Sequence, residues 1–490
     1  MTVINKMPAF LLLVLLGLYA CNGEQADTQT GTAADTAGLG AEEALAGEEH
    51  QKAAANFTAY CAGCHGGSAS TFADREWKYG DQPDSLFASI KHGHPDVGMP
   101  AFEETFSDQE IRGLVAYIQQ GMNQVAQYTF EEAESLPATY QAEQFTYRLD
   151  TVAIDFGEVP WSIEFLPDGG MLITEIGGTL YRRTPDGKLQ EVSGVPKVQA
   201  EGQGGLLDIE LHPNFSSNNL IFLSYSAVKE EGGSTLTTTA VMRARLEGNS
   251  LREQKVIFEA EPWSTTRHHY GSRLAFGPDG NLYFSVGDRG NHDENPQDLQ
   301  RHPGKIHRIR DDGSIPADNP FSGQGNAKAS IYSYGHRNPQ GMLFHPKSGQ
   351  LWEHEHGPRG GDEINVIEKG VNYGWPAISY GINYDGKPIT DKTEATGMEQ
   401  PLQQWTPSIA PSGMAFVTGN RYKGWEGSLL SGSLRFQYLN RSTLEGTDIT
   451  AEEQLLKNIG RVRDVKMSPD GYIYLAVENP ARIYRIVPVE

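Results

Sequence analysis

From residue 160 onward one phrase returns six times: an apolar residue and a large apolar partner, a Pro-Asp-Gly turn or its substitute, then an apolar and aromatic run. The copies read IEFLPDGGMLITE, IELHPNFSSNNLIFLSY, LAFGPDGNLYFSVGD, MLFHPKSGQLWEHEHG, MAFVTGNRYKGWEGSLL and VKMSPDGYIYLAVE. Each reads as two short alternating strands around a turn in which Asp-Gly, or what replaces it, supplies the φ > 0 residue that a tight hairpin needs. The copies start about 45 to 70 residues apart, room for roughly four strands each. Six units of four strands predict a mainly β chain built as a six-bladed β-propeller. The competing arrangement is a sandwich with chance Pro-Asp-Gly turns, but sandwich turns recur every 8 to 12 residues or so without a longer period.

Composition agrees with strands and tight turns. There are 55 glycines among 490 residues, with 21 tyrosines, 19 phenylalanines and 7 tryptophans. The net charge of −23 would repel a phosphate backbone, which argues against a nucleic-acid partner.

Ahead of the repeats the chain changes character. Its three cysteines are Cys21, Cys61 and Cys64. The last two belong to Cys61-Ala-Gly-Cys64-His65, the spacing at which two thiols add to haem vinyl groups and the next histidine ligates the iron. A zinc site would need two further ligands, and no second cysteine pair exists. A redox disulfide would sit in a βαβ context that these flanks do not show. Downstream, KHGHPDVGMPAF offers Met99, His92 and His94. Its GMPAF resembles the methionine loop of class I cytochromes c, which makes Met99 the sixth ligand and leaves His92 and His94 as surface histidines. Ser107 and Glu110 fit a capping box before Ile111, Leu114, Val115 and Ile118, which share one helical face. A small all-α cytochrome c domain over residues 48–122 is expected, followed by a connector over 123–147 and the propeller over 148–490.

The first 20 residues read as a lipoprotein signal peptide: one lysine, an apolar run too short to span a bilayer, and Leu18-Tyr19-Ala20 before Cys21, the lipidation site. Residues 21–47 have too few large apolar side chains to fold and read as a tether. These features predict an exported protein, anchored by lipid and facing the periplasm.

The propeller loops carry polar groups that the repeat does not need. Gln203 lies in EGQGGLL, His268 and His269 in RHHYGSRLAF, Asp288 in VGDRGN, Arg337 and Asn338 in YGHRNPQG, Arg435 in SGSLRF, and Arg461 and Arg463 in GRVRDV. Cations gathered on the loops of an acidic chain point to an anionic ligand.

GQGGLL, the His-x-x-x-Arg-Leu-x-x-GPDG segment, VGD, GKIHRIRDDGSIPADNPF, GHRNPQG, EHGP, DEINVIEKGVNYGWP and RVRDVKMSPDG together resemble the pyrroloquinoline quinone (PQQ) dependent aldose sugar dehydrogenases and soluble quinoprotein glucose dehydrogenases. The resemblance covers residues 148–490. It implies oxidation of an aldose C1 hydroxyl to a lactone, with His269 as general base, Asp288 orienting it, and hydride passing to PQQ. It also implies PQQ carboxylates held by Arg435, Arg461 and Arg463, further cofactor contacts from Gln203, Arg337 and Asn338, and Arg337 stabilising charge on a quinone oxygen. Related enzymes usually carry lysine where Arg435 stands, so the geometry differs there. Gly357 and Pro358 match positions whose backbone carbonyls hold a calcium ion. A transition metal on His354 and His356 is the local alternative, and His268 remains an alternative base.

The resemblance also gives the fused haem a role, as one-electron acceptor for the reduced quinone and donor to an outside respiratory carrier. Two other classes stay open: a non-catalytic carbohydrate-binding propeller, and a calcium-dependent lactonase-type hydrolase, which would need carboxylates and amides around its metal.

Overall fold

A computed structural model describes residues 47–61, 65, 69, 72, 77–95, 99–126, 136–154, 156–383 and 387–489. The expected signal peptide, nearly all of the tether, the lipidation site Cys21 and the haem-binding Cys64 lie outside the described residues. No described helix is long and apolar enough to cross a membrane.

The N-terminal domain is helical. It contains α1 (Gly47–Tyr60), α2 (Pro83–His92) and α3 (Asp108–Ala126). The capping box forms in both directions: the Ser107 N–H donates to Glu110 Oε2 at 2.9 Å, and the Glu110 N–H reaches Ser107 Oγ at 3.4 Å. From that start, α3 turns Ile111, Leu114, Val115 and Ile118 onto Phe57, Leu86, Ile90 and Phe106, and these side chains, with Ala69, form the buried core among the described residues. Cys61 and Met99 pack half-buried against it. His94 differs from the surface position expected for it. Its ring stacks on Tyr79 at 3.5 Å, bonds Ser89 Oγ at 3.0 Å, and its backbone pairs with Met99.

The rest of the chain is the expected six-bladed propeller: six antiparallel sheets, five of four strands and one of five. The repeated phrases form the first two strands of each blade. The six inner strands are Pro160–Phe165, Leu206–Leu211, Leu274–Phe276, Pro339–Phe344, Pro411–Phe416 and Val462–Met467. Left-handed residues serve the hairpin turns where the phrase puts them. Gly169, Gly280, Gly349 and Gly471 have φ between 71° and 82°, and Asn219 takes the role in the second blade at 55°.

Two features depart from the sequence pattern. The second strands do not alternate: in five blades, as in Met171–Glu175 and Leu282–Val286, every position is buried. Blades stack face to face, so a strand in the middle of a sheet has no solvent side. The last blade has only three strands of its own, Val462–Met467, Ile473–Val477 and Arg482–Pro488. Thr146–Ala153 completes it by pairing with the final strand, Tyr147 opposite Pro488 and Leu149 opposite Ile486. Part of the stretch read as connector is therefore sheet: Tyr140–Gln141 pairs with Tyr147 and Thr146. Ring closure covers an edge that would otherwise expose unpaired amides.

Tyr147 is 1% exposed in the core that joins the closing strand to Trp425 and Tyr484. Tyr147→Ala should lower the unfolding free energy of the propeller by about 3 kcal/mol or more, the usual cost of deleting a buried aromatic. Urea unfolding followed by tryptophan fluorescence measures this, and an unchanged midpoint would mean that the closing strand is dispensable.

Candidate active site and cofactor cavity

Antiparallel pairing puts the start of each inner strand opposite the end of its second strand: Pro160 faces Glu175, Pro339 faces Glu355, Pro411 faces Ser433 and Val462 faces Val477. The loops at that end enclose a cavity of about 380 Å³ to which every blade contributes. Gln203, Asn338, Gln340, His356, Arg461, Arg463 and Glu478 give it polar walls, and Trp161, Leu207, Tyr270 and Leu434 give it apolar ones.

His269 and Asp288 meet beside this cavity. The Nδ1 of His269 lies 2.7 Å from Asp288 Oδ1. Asp288 is 1% exposed, so its carboxylate needs donors, and it has them: the Gly290 N–H reaches Oδ1 at 2.7 Å, and the Trp375 indole N–H reaches Oδ2 at 2.8 Å. Burial alone would raise the Asp288 carboxyl, but the hydrogen bond from His269 and the charge of Arg337 bring it below its ordinary range. Ionised Asp288 accepts the Nδ1 proton, which leaves Nε2 of His269 as the basic nitrogen. Burial, and then the Arg337 charge, lower the His269 imidazole to about 4, so it is neutral at ordinary pH. Its backbone sits at φ 55°, a strained value for a non-glycine residue, and its N–H is held by Gln203 Oε1 at 2.8 Å. His268 is exposed and packs edge-on against His269 at 4.6 Å. The hydrogen bond to Asp288 belongs to His269.

Arg337 is 7% exposed, and its Nη1 donates to the carbonyls of His356 at 3.0 Å and Gly357 at 2.6 Å. These carbonyls converge on a cation, here the guanidinium, and Arg337 would have to turn aside to admit a metal ion at Gly357. The Gly357-Pro358 turn is fixed from behind by buried Asp362, which accepts the Gly357 N–H at 2.8 Å and the Ala410 N–H at 2.8 Å. Asn338 Oδ1 accepts the Gly271 N–H at 3.1 Å and so locks the loop after His269. His354 and His356 do not act as a pair: their Nε2 atoms go to different carbonyls, Gly413 at 3.2 Å and Pro411 at 2.9 Å.

Arg461 and Arg463 stand on the cavity wall, both bonded to Glu478. Nε of Arg463 reaches Glu478 Oε1 at 2.8 Å, and Nε of Arg461 reaches Oε2 at 2.5 Å. Arg463 also reaches Gln340 Oε1 at 3.1 Å and Ser412 Oγ at 3.2 Å. Arg435 lies to one side, over the Phe436 ring and bonded to the Ser408 carbonyl, while its neighbour Leu434 lines the cavity. Among the described residues Glu478 is the one carboxylate lining the cavity, and two arginines engage it. The amides a metal-dependent lactonase needs are present in Gln203, Asn338 and Gln340, but among the described lining residues its set of free carboxylates is not.

Sequence reasoning left out three contributors. Trp375 lies within the quoted NYGWP, Glu478 ends the last repeat, and Trp161 stacks under Arg273 at 4.3 Å. The two tryptophans do not announce chemistry, and Glu478 is separated from the arginines it meets by 15 and 17 residues. In the helical domain His65 and Met99 are both half-buried, with the His65 ring 5.0 Å from Phe72.

Known proteins resemble both parts of the chain. Residues 157–485 match the family described as Glucose / Sorbosone dehydrogenase, and residues 48–118 match Cytochrome C oxidase, cbb3-type, subunit III. The chain is 41% identical over 360 residues to the aldose sugar dehydrogenase YliI of Escherichia coli (strain K12), across 72% of this chain and 94% of that protein. It is 30% identical over 403 residues to quinoprotein glucose dehydrogenase B of Acinetobacter calcoaceticus, across 66% of this chain and 83% of that protein. The soluble aldose sugar dehydrogenase of Escherichia coli, solved in its apo-form, superposes with a TM-score of 0.67 at 39% identity, covering 70% of this chain and 100% of its own. The PQQ-bound form of aldose sugar dehydrogenase from Streptomyces coelicolor gives 0.58 at 29% identity, covering 72% and 100%.

The Arg461–Glu478–Arg463 group yields a stability test. Glu478→Ala leaves two guanidinium groups without their counter-charge, and loss of one partner from a largely buried pair such as Arg463–Glu478 costs about 3 kcal/mol, with little added by the more exposed Arg461. The urea midpoint should fall accordingly and recover in part when sulfate or phosphate is added, with chloride at equal ionic strength as the control.

Proposed function

Because the chain belongs to the glucose/sorbosone dehydrogenase family and carries a cytochrome c domain ahead of that region, we propose that it is a PQQ-dependent aldose dehydrogenase whose electrons leave through its own haem. The observation that carries this reading is the buried Trp375–Asp288–His269 chain beside an arginine-lined cavity. An aldose is the substrate, oxidised at its C1 hydroxyl to a lactone.

The cavity residues suit a flat polycarboxylate: Arg461 and Arg463 offer charge-assisted donors, Gln203 and Asn338 add amides, and Arg337 has a buried Nε with no partner. Arg435 would join them only by turning from Ser408. PQQ, when bound, supplies the hydride acceptor, and a calcium ion on the Gly357 and Pro358 carbonyls would supply Lewis acidity. His269 takes the hydroxyl proton at Nε2. Asp288 then stabilises the imidazolium, itself fixed by Trp375 and Gly290, so the imidazole needs little reorganisation as it gains charge. Gln203 and Asn338 hold the backbone on either side of His269. Arg337 brings a positive charge to the base and keeps it neutral.

A c-type haem on Cys61 and Cys64, ligated by His65 and Met99, supplies a one-electron acceptor on the same chain, at an effective concentration of the order of mM. Export, lipid on Cys21 and an outside electron carrier complete the proposal. The test is to add PQQ and calcium to haem-loaded protein, supply aldoses, and watch for the reduced-haem absorption band. No reduction with any aldose would favour a non-catalytic sugar-binding propeller.

Two outcomes are specific. General-base catalysis is worth about 10²- to 10⁴-fold, so His269→Gln should lose that much in the rate of cofactor reduction by stopped flow, and His268→Gln far less. A base whose imidazole is lowered to about 4 stays active until the pH falls near that value. The acid limb of the wild-type rate profile should therefore lie near pH 4 and not near 6.5, the ordinary histidine value.

The haem half has its own outcome. Replacing a thioether ligand by imidazole lowers a haem potential, so Met99→His should slow haem reduction while artificial acceptors still oxidise the reduced cofactor. Spectroelectrochemical titration reads the shift, and an unchanged potential removes Met99 from the iron.

A further inference from the structure

We propose that His336, Glu353 and Glu355 form a buried site for a divalent transition-metal cation of the zinc or manganese kind, behind the loop that carries Arg337 and Asn338. One ligand atom from each residue lies within 4.8 Å of the others. His336 and Glu353 are 0% exposed and Glu355 is 4% exposed. Glu353 and Glu355 share one face of the strand Leu351–Glu355, and the pairing sets Asn365 and Glu363 beside them on the next strand.

Charge and hydrogen bonding on this face do not balance. Among the described residues no lysine or arginine forms an ion pair with Glu353, Glu355 or Glu363. Glu353 Oε2 accepts from Asn365 Nδ2 at 3.3 Å, but Glu353 Oε1 is buried with no hydrogen-bond partner, and so is Asn365 Oδ1. Burial and the neighbouring Glu355 carboxylate push Glu353 well above its ordinary range, yet Oε1 has no hydrogen-bond partner to receive an O–H in this arrangement. Two orphaned oxygen acceptors beside an imidazole and a second carboxylate, with no cation to offset them, are the environment a divalent ion completes.

The donor set chooses the ion. One imidazole nitrogen and two carboxylates suit zinc, manganese or ferrous iron, whereas calcium takes oxygen ligands throughout. His336 Nδ1 is 3.2 Å from Glu355 Oε1, and its Nε2 is 2.8 Å from Ser333 Oγ, which fixes the ring with Nδ1 towards the carboxylates. Glu355 Oε2 meanwhile accepts the backbone N–H groups of Arg337 and Asn338. An ion on the other oxygen of Glu355 would anchor that loop without touching substrate. The site is independent of which reaction the cavity performs.

The test uses the full haem-loaded chain. Protein unfolded with chelator is refolded with zinc, manganese or cobalt and dialysed, and these metals are counted by elemental analysis, so haem iron and calcium do not interfere. The wild type should hold about one equivalent of one of them, as a site coupled to folding does, and its thermal midpoint should rise with metal. Glu353→Gln and His336→Gln keep the side-chain volume roughly constant and should each lose the metal, the cobalt ligand-field bands and the thermal shift. A wild-type chain that retains none of the three metals overturns the proposal, as does equal retention by either folded variant. Should both variants fail to fold, the wild-type count and an imidazole signature in the cobalt spectrum decide it alone.

Discussion

One guanidinium holds the axis of the propeller together. Six inner strands surround the axis, and each turns towards it an edge with no further strand to pair with, so the amides along those edges need other acceptors. Asp208, from the second blade, accepts the Leu274 N–H of the third at 2.7 Å, and Asp464, from the sixth, accepts the Ile163 N–H of the first at 3.0 Å. Two carboxylates that are 4% and 3% exposed need a counter-charge beside them. Arg273 supplies it, with Nη1 3.3 Å from Asp208 and 3.0 Å from Asp464. Its other nitrogens donate to the carbonyls of Gln340 at 2.7 Å and Arg463 at 3.1 Å. One side chain of the third blade thus reaches the second, fourth and sixth by hydrogen bonds, and the first both through Asp464 and by stacking on Trp161.

The same network sets the floor of the cavity. Gln340 and Arg463, whose carbonyls Arg273 fixes, present their side chains to the cavity and bond each other there. The position of the arginine-bearing wall is consequently tied to ring closure. A substitution that loosens the axis should reach the cavity through these two backbone positions, without any contact between Arg273 and ligand.

The blades were legible in sequence because their turns are local: a left-handed residue at a fixed place in each hairpin is written into Pro-Asp-Gly or its replacements. The closing strand was not, since Thr146–Ala153 carries no copy of the phrase and pairs with residues more than 300 positions away. Alternation misled for the second strands, because packing on both faces overrides a pattern that presumes one wet side. At the site, His269 and Asp288 were readable through the family phrases, yet the choice between His268 and His269 turned on which imidazole meets a carboxylate 19 residues on. Trp375 reaches Asp288 across 87 residues, and nothing about an isolated tryptophan signals that bond. The cytochrome c domain was legible from five letters, Cys61-Ala-Gly-Cys64-His65, because that spacing is set by covalent chemistry.

Carboxylates hold several groups around the cavity: Glu478 holds Arg461 and Arg463, Asp288 holds His269, and Glu355 holds the backbone of Arg337 and Asn338, while His356 and the Arg337 guanidinium meet backbone carbonyls. This explains how a chain of net charge −23 can offer an anion site. Glu478 cancels one of the two arginine charges, so the attraction at this wall comes less from excess positive charge than from guanidinium donors already aimed, of which Arg463 is also largely buried. An anion entering such a wall adds to hydrogen-bonding groups whose orientation was fixed during folding, and it gains more from each contact than it would from mobile surface lysines. The acidity of the chain and the cationic character of the cavity are therefore parts of one arrangement, in which buried carboxylates fix the donors that a flat anion would meet.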